Sequence, residues 1–246
     1  MAKQEITGEI VSFDLPSGIS VEIQELTAAS QKVFTDKQLV KSGKWLNRLL
    51  RHALVSLDGK PLPENAGEAN SILLDMKSGD RNYLLLQVRM QNFGEEMDFN
   101  YECPKCKKTA GYHINFKEAL DNGTLKVYPY REDMPIEVET RSGVALVDYP
   151  TGRTEEWLSM QKDPDIILNT MGYCASFNGH PPTYKEFEAL YAKDLTKIRL
   201  AGDELKGGLD SRIELECAEC DSSFSIYLYQ IPDFFIPQMT TGSIGL

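Results

Sequence analysis

Two short runs of residues dominate this sequence: Phe99-Asn-Tyr-Glu-Cys103-Pro-Lys-Cys106 and Ile213-Glu-Leu-Glu-Cys217-Ala-Glu-Cys220. In each run, alternating apolar and polar residues lead into a C-x-x-C motif, and such alternation is typical of a half-buried β-strand. After each motif the alternation resumes, in residues 110–114 and in residues 224–228. The pattern therefore predicts two β-hairpins, each with a pair of cysteines at its turn.

The four cysteines of these motifs predict a single tetrahedral zinc site with sulfur ligands only, formed by Cys103, Cys106, Cys217 and Cys220. In common zinc ribbons the second pair follows the first by roughly 15–20 residues. Here Cys217 follows Cys106 by 111 positions, so a shared site would join two distant parts of the chain. Because four thiolates leave no position for water or substrate, the predicted Zn²⁺ is structural, and its binding is coupled to folding.

Other interpretations of the two motifs remain open at this point: a redox-active dithiol, plain reduced thiols, or two half-sites that partner chains complete. A redox C-x-x-C favours the N-terminus of a helix, where the helix dipole lowers the thiol pKa, and the predicted flanking strands argue against it. Cys174 lies in an apolar helical context and is predicted to be a buried core thiol. His52, His113 and His180 are scattered and are predicted to be structural or surface residues.

Further landmarks recur in the same order before each motif, which indicates an internal duplication. Asp80 and Asp194 precede Cys103 and Cys217 by the same number of residues, and both aspartates are predicted to be helix N-caps. Upstream of them, an Asp-Gly turn in the first half matches an Asn-Gly turn in the second half. Solenoid repeats are far shorter than this period, so the copies have the size of domains.

The duplication predicts two domains: residues 1–125, with the C-P-K-C knuckle, and residues 126–246, with the C-A-E-C knuckle and an aromatic, proline-containing tail. The predicted fold class is α+β. It consists of two pseudo-duplicated lobes, and each lobe has a strand pair, short helices and a C-x-x-C zinc-knuckle hairpin.

Composition and charge narrow the class of protein further. A hydrophobic content of 41% with 26% charged residues is typical of a globular chain. The net charge of −11 argues against a protein whose main task is to bind nucleic acid. No apolar run reaches the roughly 18 residues that suggest a membrane span, and the polar first residues lack a signal-peptide core. We therefore predict that the protein is synthesised in a cytoplasm and does not associate with a membrane.

Sequence motifs of the common enzyme classes are missing from the chain. G-x-S-x-G, the P-loop, G-x-G-x-x-G and H-E-x-x-H do not occur, and no pair of acidic residues has the spacing of a catalytic dyad. The sequence predicts a protein that is not an enzyme, without catalytic or organic-cofactor-binding residues.

Three neighbouring motifs carry a resemblance to a known family: the run Asp80-Arg-Asn-Tyr-Leu-Leu-Leu-Gln-Val-Arg89, the pair Phe93-Gly94, and Cys103-Pro-Lys-Cys106. Together they resemble baseplate hub and tail-assembly proteins of contractile-tailed, T-even-type bacteriophages. The second copy departs from this pattern, because Leu195 stands in place of the arginine and Ala218 in place of the proline.

The resemblance implies a non-enzymatic part of a phage tail or baseplate that is assembled in the host cytoplasm and located in the virion. Its implied partners are other tail or baseplate proteins, and candidate contacts lie in the similar ending Phe234-Phe235-Ile236-Pro237. The alternative from the same setting is an assembly chaperone that is absent from the mature virion. A zinc-ribbon nucleic-acid binder and a thiol oxidoreductase are further alternatives from other classes.

Overall fold

The computed structural model describes residues 8–30, 32–36, 38–39, 44–231 and 234–235. Within these ranges the chain is an α+β protein in which short helices connect small antiparallel sheets, so the predicted fold class is confirmed. The helices are α1 (Lys32–Thr35), α2 (Trp45–Ala53), α3 (Ala66–Asp75), α4 (Ser78–Phe93), α5 (Phe116–Asp121), α6 (Gly152–Ser159), α7 (Ile166–Met171), α8 (Tyr184–Glu188) and α9 (Ala192–Asp203). The strands are β1 (Ile10–Asp14), β2 (Ser20–Gln24), β3 (Leu54–Leu57), β4 (Lys60–Pro61), β5 (Glu96–Glu102), β6 (Thr109–Asn115), β7 (Lys126–Tyr128), β8 (Ile136–Thr140), β9 (Gly143–Val147), β10 (Cys174–Phe177), β11 (Gly208–Asp210), β12 (Arg212–Glu216) and β13 (Ser223–Tyr227).

Two antiparallel sheets have their strands in chain order and end in turns of the same kind. One sheet has the order β1-β2-β3-β4, and the other has the order β8-β9-β10. Asp58 and Asn178 occupy equivalent turns at positive φ, each followed by a glycine that is also at positive φ. Their side-chain oxygens accept the backbone N–H of Ser20 at 3.1 Å and of Val144 at 3.0 Å, respectively. A duplication predicts such a likeness, but the duplication itself stays a prediction.

The prediction that Asp80 and Asp194 are N-caps is wrong. Each lies inside the first turn of its helix, α4 or α9, and the N-cap residues are Lys77 and Tyr191. Both aspartates are only 2% exposed. The Asp80 carboxylate accepts the backbone N–H of Ser17 at 3.1 Å, so it fixes the turn between β1 and β2 against helix α4.

Buried apolar side chains form two clusters. The larger core contains side chains from β2, β3 and helices α1 to α5, and it also includes residues from both cysteine hairpins. The smaller core consists of Ala145, Val147, Met171, Cys174, Phe177, Phe187, Leu190 and Ile198. The second hairpin belongs to the 126–246 half of the sequence, but its residues Ile213 and Ile226 lie in the larger core. Packing therefore does not follow the division at residue 125, which stays a prediction about the sequence repeat.

Helix α4 of the larger core contacts helix α6, whose Trp157 packs against the smaller core, and helix α4 also contacts strand β11. A Cβ atom on Gly79 would lie 2.1 Å from the carbonyl oxygen of Gly207, so the close approach of these backbones requires glycine. The buried Arg81 guanidinium donates to Glu155 Oε2 at 2.9 Å, to Asn47 Oδ1 at 2.8 Å and to the Leu73 carbonyl at 2.6 Å. One side chain thus connects α2, α3, α4 and α6.

Of the four tail residues predicted to contact partners, two are buried within the chain and two lie outside the described residues. Phe234 and Phe235 are buried, 4% and 7% exposed, in the larger core. Phe234 meets the ring of Phe116 edge to face at 5.7 Å, and Phe235 meets Trp45 in the same way at 5.7 Å. These two rings are therefore occupied within the chain and are not a free contact surface. Ile236 and Pro237 lie outside the described residues.

Among the described residues, no helix combines the length and the apolar character that a membrane crossing requires.

Candidate metal centre

The first knuckle lies at the turn between β5 and β6. The backbone N–H of Cys103 donates to the Lys108 carbonyl at 2.9 Å, and the N–H of Lys107 donates to the Cys103 carbonyl at 3.0 Å. Lys107 has a φ of 62°, in the left-handed region, which lets the chain reverse directly after Cys106. The turn thus holds both cysteines of the motif at the end of the hairpin, beyond the last strand pair Glu102–Thr109.

The second knuckle, between β12 and β13, has the same backbone form. The N–H of Cys217 donates to the Ser222 carbonyl at 3.0 Å, and the N–H of Asp221 donates to the Cys217 carbonyl at 2.8 Å. Asp221 has a φ of 54°, as expected for the residue equivalent to Lys107. Both C-x-x-C motifs therefore lie in turns of β-hairpins and not at helix N-termini, which disfavours the redox-dithiol interpretation.

The two knuckles face each other and bring all four thiols into one cluster. The Sγ atoms of Cys103, Cys106, Cys217 and Cys220 lie within 4.8 Å of one another. Across the two hairpins, the Cys103–Cys220 sulfur distance is 3.8 Å and the Cys106–Cys217 distance is 3.7 Å. Zn–S bonds of about 2.3 Å place the sulfurs of a tetrahedral site about 3.8 Å apart. The donor set and the spacing therefore fit a four-thiolate metal site.

Burial of the cluster is uneven. Cys103 and Cys217, the first cysteine of each motif, are fully buried, whereas Cys106 and Cys220 are partly exposed. No disulfide joins the four thiols, which are all free cysteines. A metal ion held by all four would have its coordination sphere filled by the protein, with two ligands facing the core and two facing the surface.

Ser222 is a polar partner of the cluster that the sequence analysis did not identify. Its Oγ lies 3.0 Å from Cys220 Sγ and 3.5 Å from Cys103 Sγ. Hydrogen bonding to Ser222 lowers the pKa of the Cys103 thiol to about 6 and also lowers the pKa of Cys220. The N–H of Lys108 acts to lower the pKa of Cys106, but burial and the neighbouring thiols together raise it to about 11. Part of the cluster is thus favoured as thiolate, the form that binds metal.

Aromatic rings fill the space between the two hairpins. Phe224 of β13 stacks on Tyr101 of β5 with ring centroids 6.0 Å apart, and it meets Tyr112 of β6 edge to face at 6.3 Å. Nearer the surface, Lys108 Nζ and Glu219 Oε2 form a salt bridge of 2.7 Å from one knuckle to the other. Apolar packing and a charge pair therefore hold the hairpins in register around the thiols.

The three histidines lie apart from the four cysteines. Within the described part of the chain, the four cysteines are the one group of three or more potential metal ligands. His113 pairs with Asp98 at 2.8 Å, and His180 pairs with Glu186 at 3.3 Å. Burial, aided by Arg48 and Arg51, lowers the pKa of His52.

Cys174 is a buried thiol of the smaller core, as predicted, but the predicted helical context is wrong, because Cys174 begins strand β10. It is 7% exposed, and its Sγ donates to the Ser176 carbonyl at 3.1 Å. Burial raises its pKa to about 11, which keeps the thiol neutral.

Fold and site together define a class: an α+β protein in which two hairpins, distant in sequence, share one closed four-cysteine cluster that could hold a metal ion. The chain belongs to the T4 bacteriophage base plate protein family, whose model matches residues 62–236 and thus spans both cysteine pairs. The resemblance inferred from the three motifs is therefore confirmed. No curated protein and no solved structure matches the chain.

Proposed function

We propose that this protein is a non-enzymatic structural component of a phage baseplate hub or tail, in which one structural Zn²⁺ joins the two cysteine hairpins. The observation that carries the proposal is the family match over residues 62–236. The matched region contains both hairpins, so the four-cysteine cluster lies within the part of the chain that the family model matches. The partners of such a component are other tail or baseplate proteins, and its location is the virion after assembly in the host cytoplasm.

The chemistry of the donor set supports zinc as the metal and a structural role for it. Four thiolates are a preferred ligand set for Zn²⁺, and they leave no open position at which a water or a substrate could be activated. When bound, the ion supplies a rigid link between the hairpins, and its binding free energy adds to the stability of the fold. A part of a contractile machine gains from such a link because the link needs no large additional core.

Metal analysis of the purified protein beside a Cys217→Ser variant tests the zinc. We expect one zinc per chain in the parent and little or none in the variant. The melting temperature of the variant should fall by about 10 °C, since loss of the metal removes several kcal/mol and each kcal/mol corresponds to roughly 2–4 °C in a protein of this size. Cys174→Ser is the matched control, because it changes a cysteine outside the cluster and should keep the metal. Parent protein without zinc and with four titratable cluster thiols would contradict the proposal.

Purified virions test the structural role. We expect the protein in mature tails at a fixed number of copies per particle, measured by quantitative mass spectrometry against known tail proteins. If infected cells contain the protein but purified tails do not, the structural role is wrong, and the assembly chaperone replaces it.

A further inference from the structure

An apolar groove lies on the surface of the smaller core, far in sequence from the cysteine knuckles. It has a volume of about 610 Å³ and lies among helices α6, α7 and α8. Its lining residues are Trp157, Gln161, Leu168, Met171, Pro182 and Tyr184. Large aromatic side chains and methionine are enriched where proteins bind other proteins, and this groove combines both with an open surface.

The polar groups of the lining make hydrogen bonds within the chain. The Gln161 amide donates to the Trp157 carbonyl at 3.1 Å. The Tyr184 hydroxyl donates to Asp165 Oδ2 at 2.9 Å. Because these donors are already used, the groove favours an apolar occupant over a polar small molecule.

Exposed apolar side chains extend the surface around the groove. Met160, next to Gln161, and Ile166, the first residue of α7, are each 57% exposed, and Tyr184 itself is 40% exposed. Exposed apolar side chains beside an apolar groove are typical of an interaction site.

Among the exposed charged residues on the elements that form the groove, acidic residues outnumber lysines by one. Asp163, Asp165 and Glu188 are exposed on the helices and loop that form it, and Lys162 and Lys185 offset them only in part. The hydrogen bond to Asp165, together with burial and the charges of Asp165 and Glu188, raises the pKa of Tyr184. The chain as a whole carries a net charge of −11. A segment with lysine or arginine beside its apolar residues complements this surface.

We infer that the groove binds an apolar polypeptide segment, flanked by basic residues, of another protein of the phage baseplate. The inference rests on the proposed role in the phage particle and names the surface and the partner chemistry for it. Tyr184 and Trp157 are the anchoring side chains, and the acidic residues at the edge orient the partner.

Photocrosslinking tests the inference. A benzoylphenylalanine residue in place of Tyr184 keeps an aromatic ring in the groove, and the same residue in place of Ile72, which is 38% exposed on helix α3, is the matched control. Both variants are irradiated in infected cells and in purified tails, and crosslinked peptides are identified by mass spectrometry. We expect position 184 to crosslink to an apolar segment of a second baseplate protein with lysine or arginine nearby, and position 72 not to crosslink to that segment.

Each other result overturns the inference. These results are no crosslink from position 184 in either sample, a crosslink within the same chain or to a second copy of it, or a crosslink to the same segment from both positions. A crosslink that forms in infected cells while the protein is absent from purified tails supports the groove and overturns the structural role, so the two proposals fail separately.

A pair of substitutions at Tyr184 gives a second readout. Tyr184→Glu places a carboxylate in the groove at the first position of helix α8, where a negative charge is compatible with the helix. The crosslinking residue benzoylphenylalanine then stands in place of Met160. We expect its crosslinking to the partner segment to fall by about tenfold or more in the glutamate variant, because burying a carboxylate against the apolar part of that segment costs at least one factor of ten in affinity. Tyr184→Phe retains the ring and should crosslink like the parent. Equal crosslinking by the glutamate variant contradicts the apolar contact.

Discussion

The two cysteine hairpins carry the same motif and the same turn and pack on the same larger core, but they differ in strand length and in the part of the chain that precedes them. The first hairpin has seven-residue strands and continues directly into helix α5, which belongs to the same core. The second has five-residue strands and contributes no residue to the smaller core, although most of that core lies just before it in sequence. A hairpin with one apolar face can thus pack on a core other than the one formed by the residues that precede it in sequence.

This difference changes what the metal is expected to do. The sequence suggests that zinc fastens one lobe to the other, whereas both hairpins pack on the larger core. The ion would therefore lock two hairpins together on that core. The smaller core is attached separately, and Arg81 and the close contact between Gly79 and Gly207 are among the contacts that attach it.

Removal of the metal provides the strongest test of this comparison. After treatment with a chelator, we expect the amides of β5, β6, β12 and β13 to exchange hydrogen at least about tenfold faster, because local opening no longer breaks metal bonds. Strands β8, β9 and β10 of the smaller core should keep their protection. Hydrogen exchange followed by mass spectrometry resolves these segments, and re-addition of Zn²⁺ is the control that should restore protection. Equal loss of protection in both cores would show that the protein is one cooperative unit.

Arg81 offers the next test, because the aligned residue of the second copy is Leu195, which packs against the smaller core. Arg81→Leu imitates the second copy and leaves the Leu73 carbonyl and the Glu155 carboxylate without their donor. We expect a loss of about 2–3 kcal/mol in the free energy of unfolding, measured in urea, since removal of one partner of a buried charge pair costs at least that much.

Glu155→Gln is the control for Arg81. It removes the charge of a side chain that is 33% exposed and leaves the guanidinium bonded to Asn47 and to the Leu73 carbonyl. We expect a smaller loss of about 1 kcal/mol. If Arg81→Leu costs no more than Glu155→Gln, the arginine does not join the two cores.

Local patterns were sufficient to predict the strands of the two cysteine hairpins and the grouping of the four cysteines. Alternation around Cys103 and Cys217 gives the hairpins, and four cysteines in two C-x-x-C pairs have few other uses in a reduced compartment. The partner surface of each strand could not be predicted in the same way. Ile213 and Ile226 show that one face is buried, but an apolar face does not specify which core covers it.

Two further features depend on geometry that the sequence does not contain. An aspartate at an N-cap and an aspartate inside the first turn look alike in sequence, since only backbone angles distinguish them. For this reason the prediction placed Asp80 and Asp194 at the N-cap. Ser222 lies next to its own knuckle in sequence, yet its proximity to Cys103 depends on how the hairpins face each other. The likeness of the two halves and their division at residue 125 remain predictions, because the larger core is drawn from both halves and the smaller core from the second half alone.

The smallest effect that we expect is a difference in stability between variants of the two buried aspartates, Asp80 and Asp194. Burial raises the pKa of Asp80, against the hydrogen bond from Ser17 and the charge of Lys77. The folded state therefore holds the Asp80 proton to a higher pH than the unfolded state does. This contribution to stability is full below the unfolded pKa, about 3.9, and is lost as the pH rises through the folded value.

Asp80→Asn cannot ionise, and its amide oxygen can still accept the N–H of Ser17. We therefore expect the variant to gain stability relative to the parent as the pH rises from about 4 to 7 in urea titrations.

Asp194 differs, since its carboxylate lies 3.6 Å from Arg141 Nε and 3.8 Å from Lys197 Nζ. At neutral pH, Asp194→Asn should lose stability because it removes the negative partner of two cations. Protonation of the cysteines affects both variants alike, so the difference between them isolates the aspartates. If both substitutions shift stability in the same direction at pH 7, the two positions are equivalent in energy as well as in sequence, and the different surroundings of the two carboxylates have no consequence for folding.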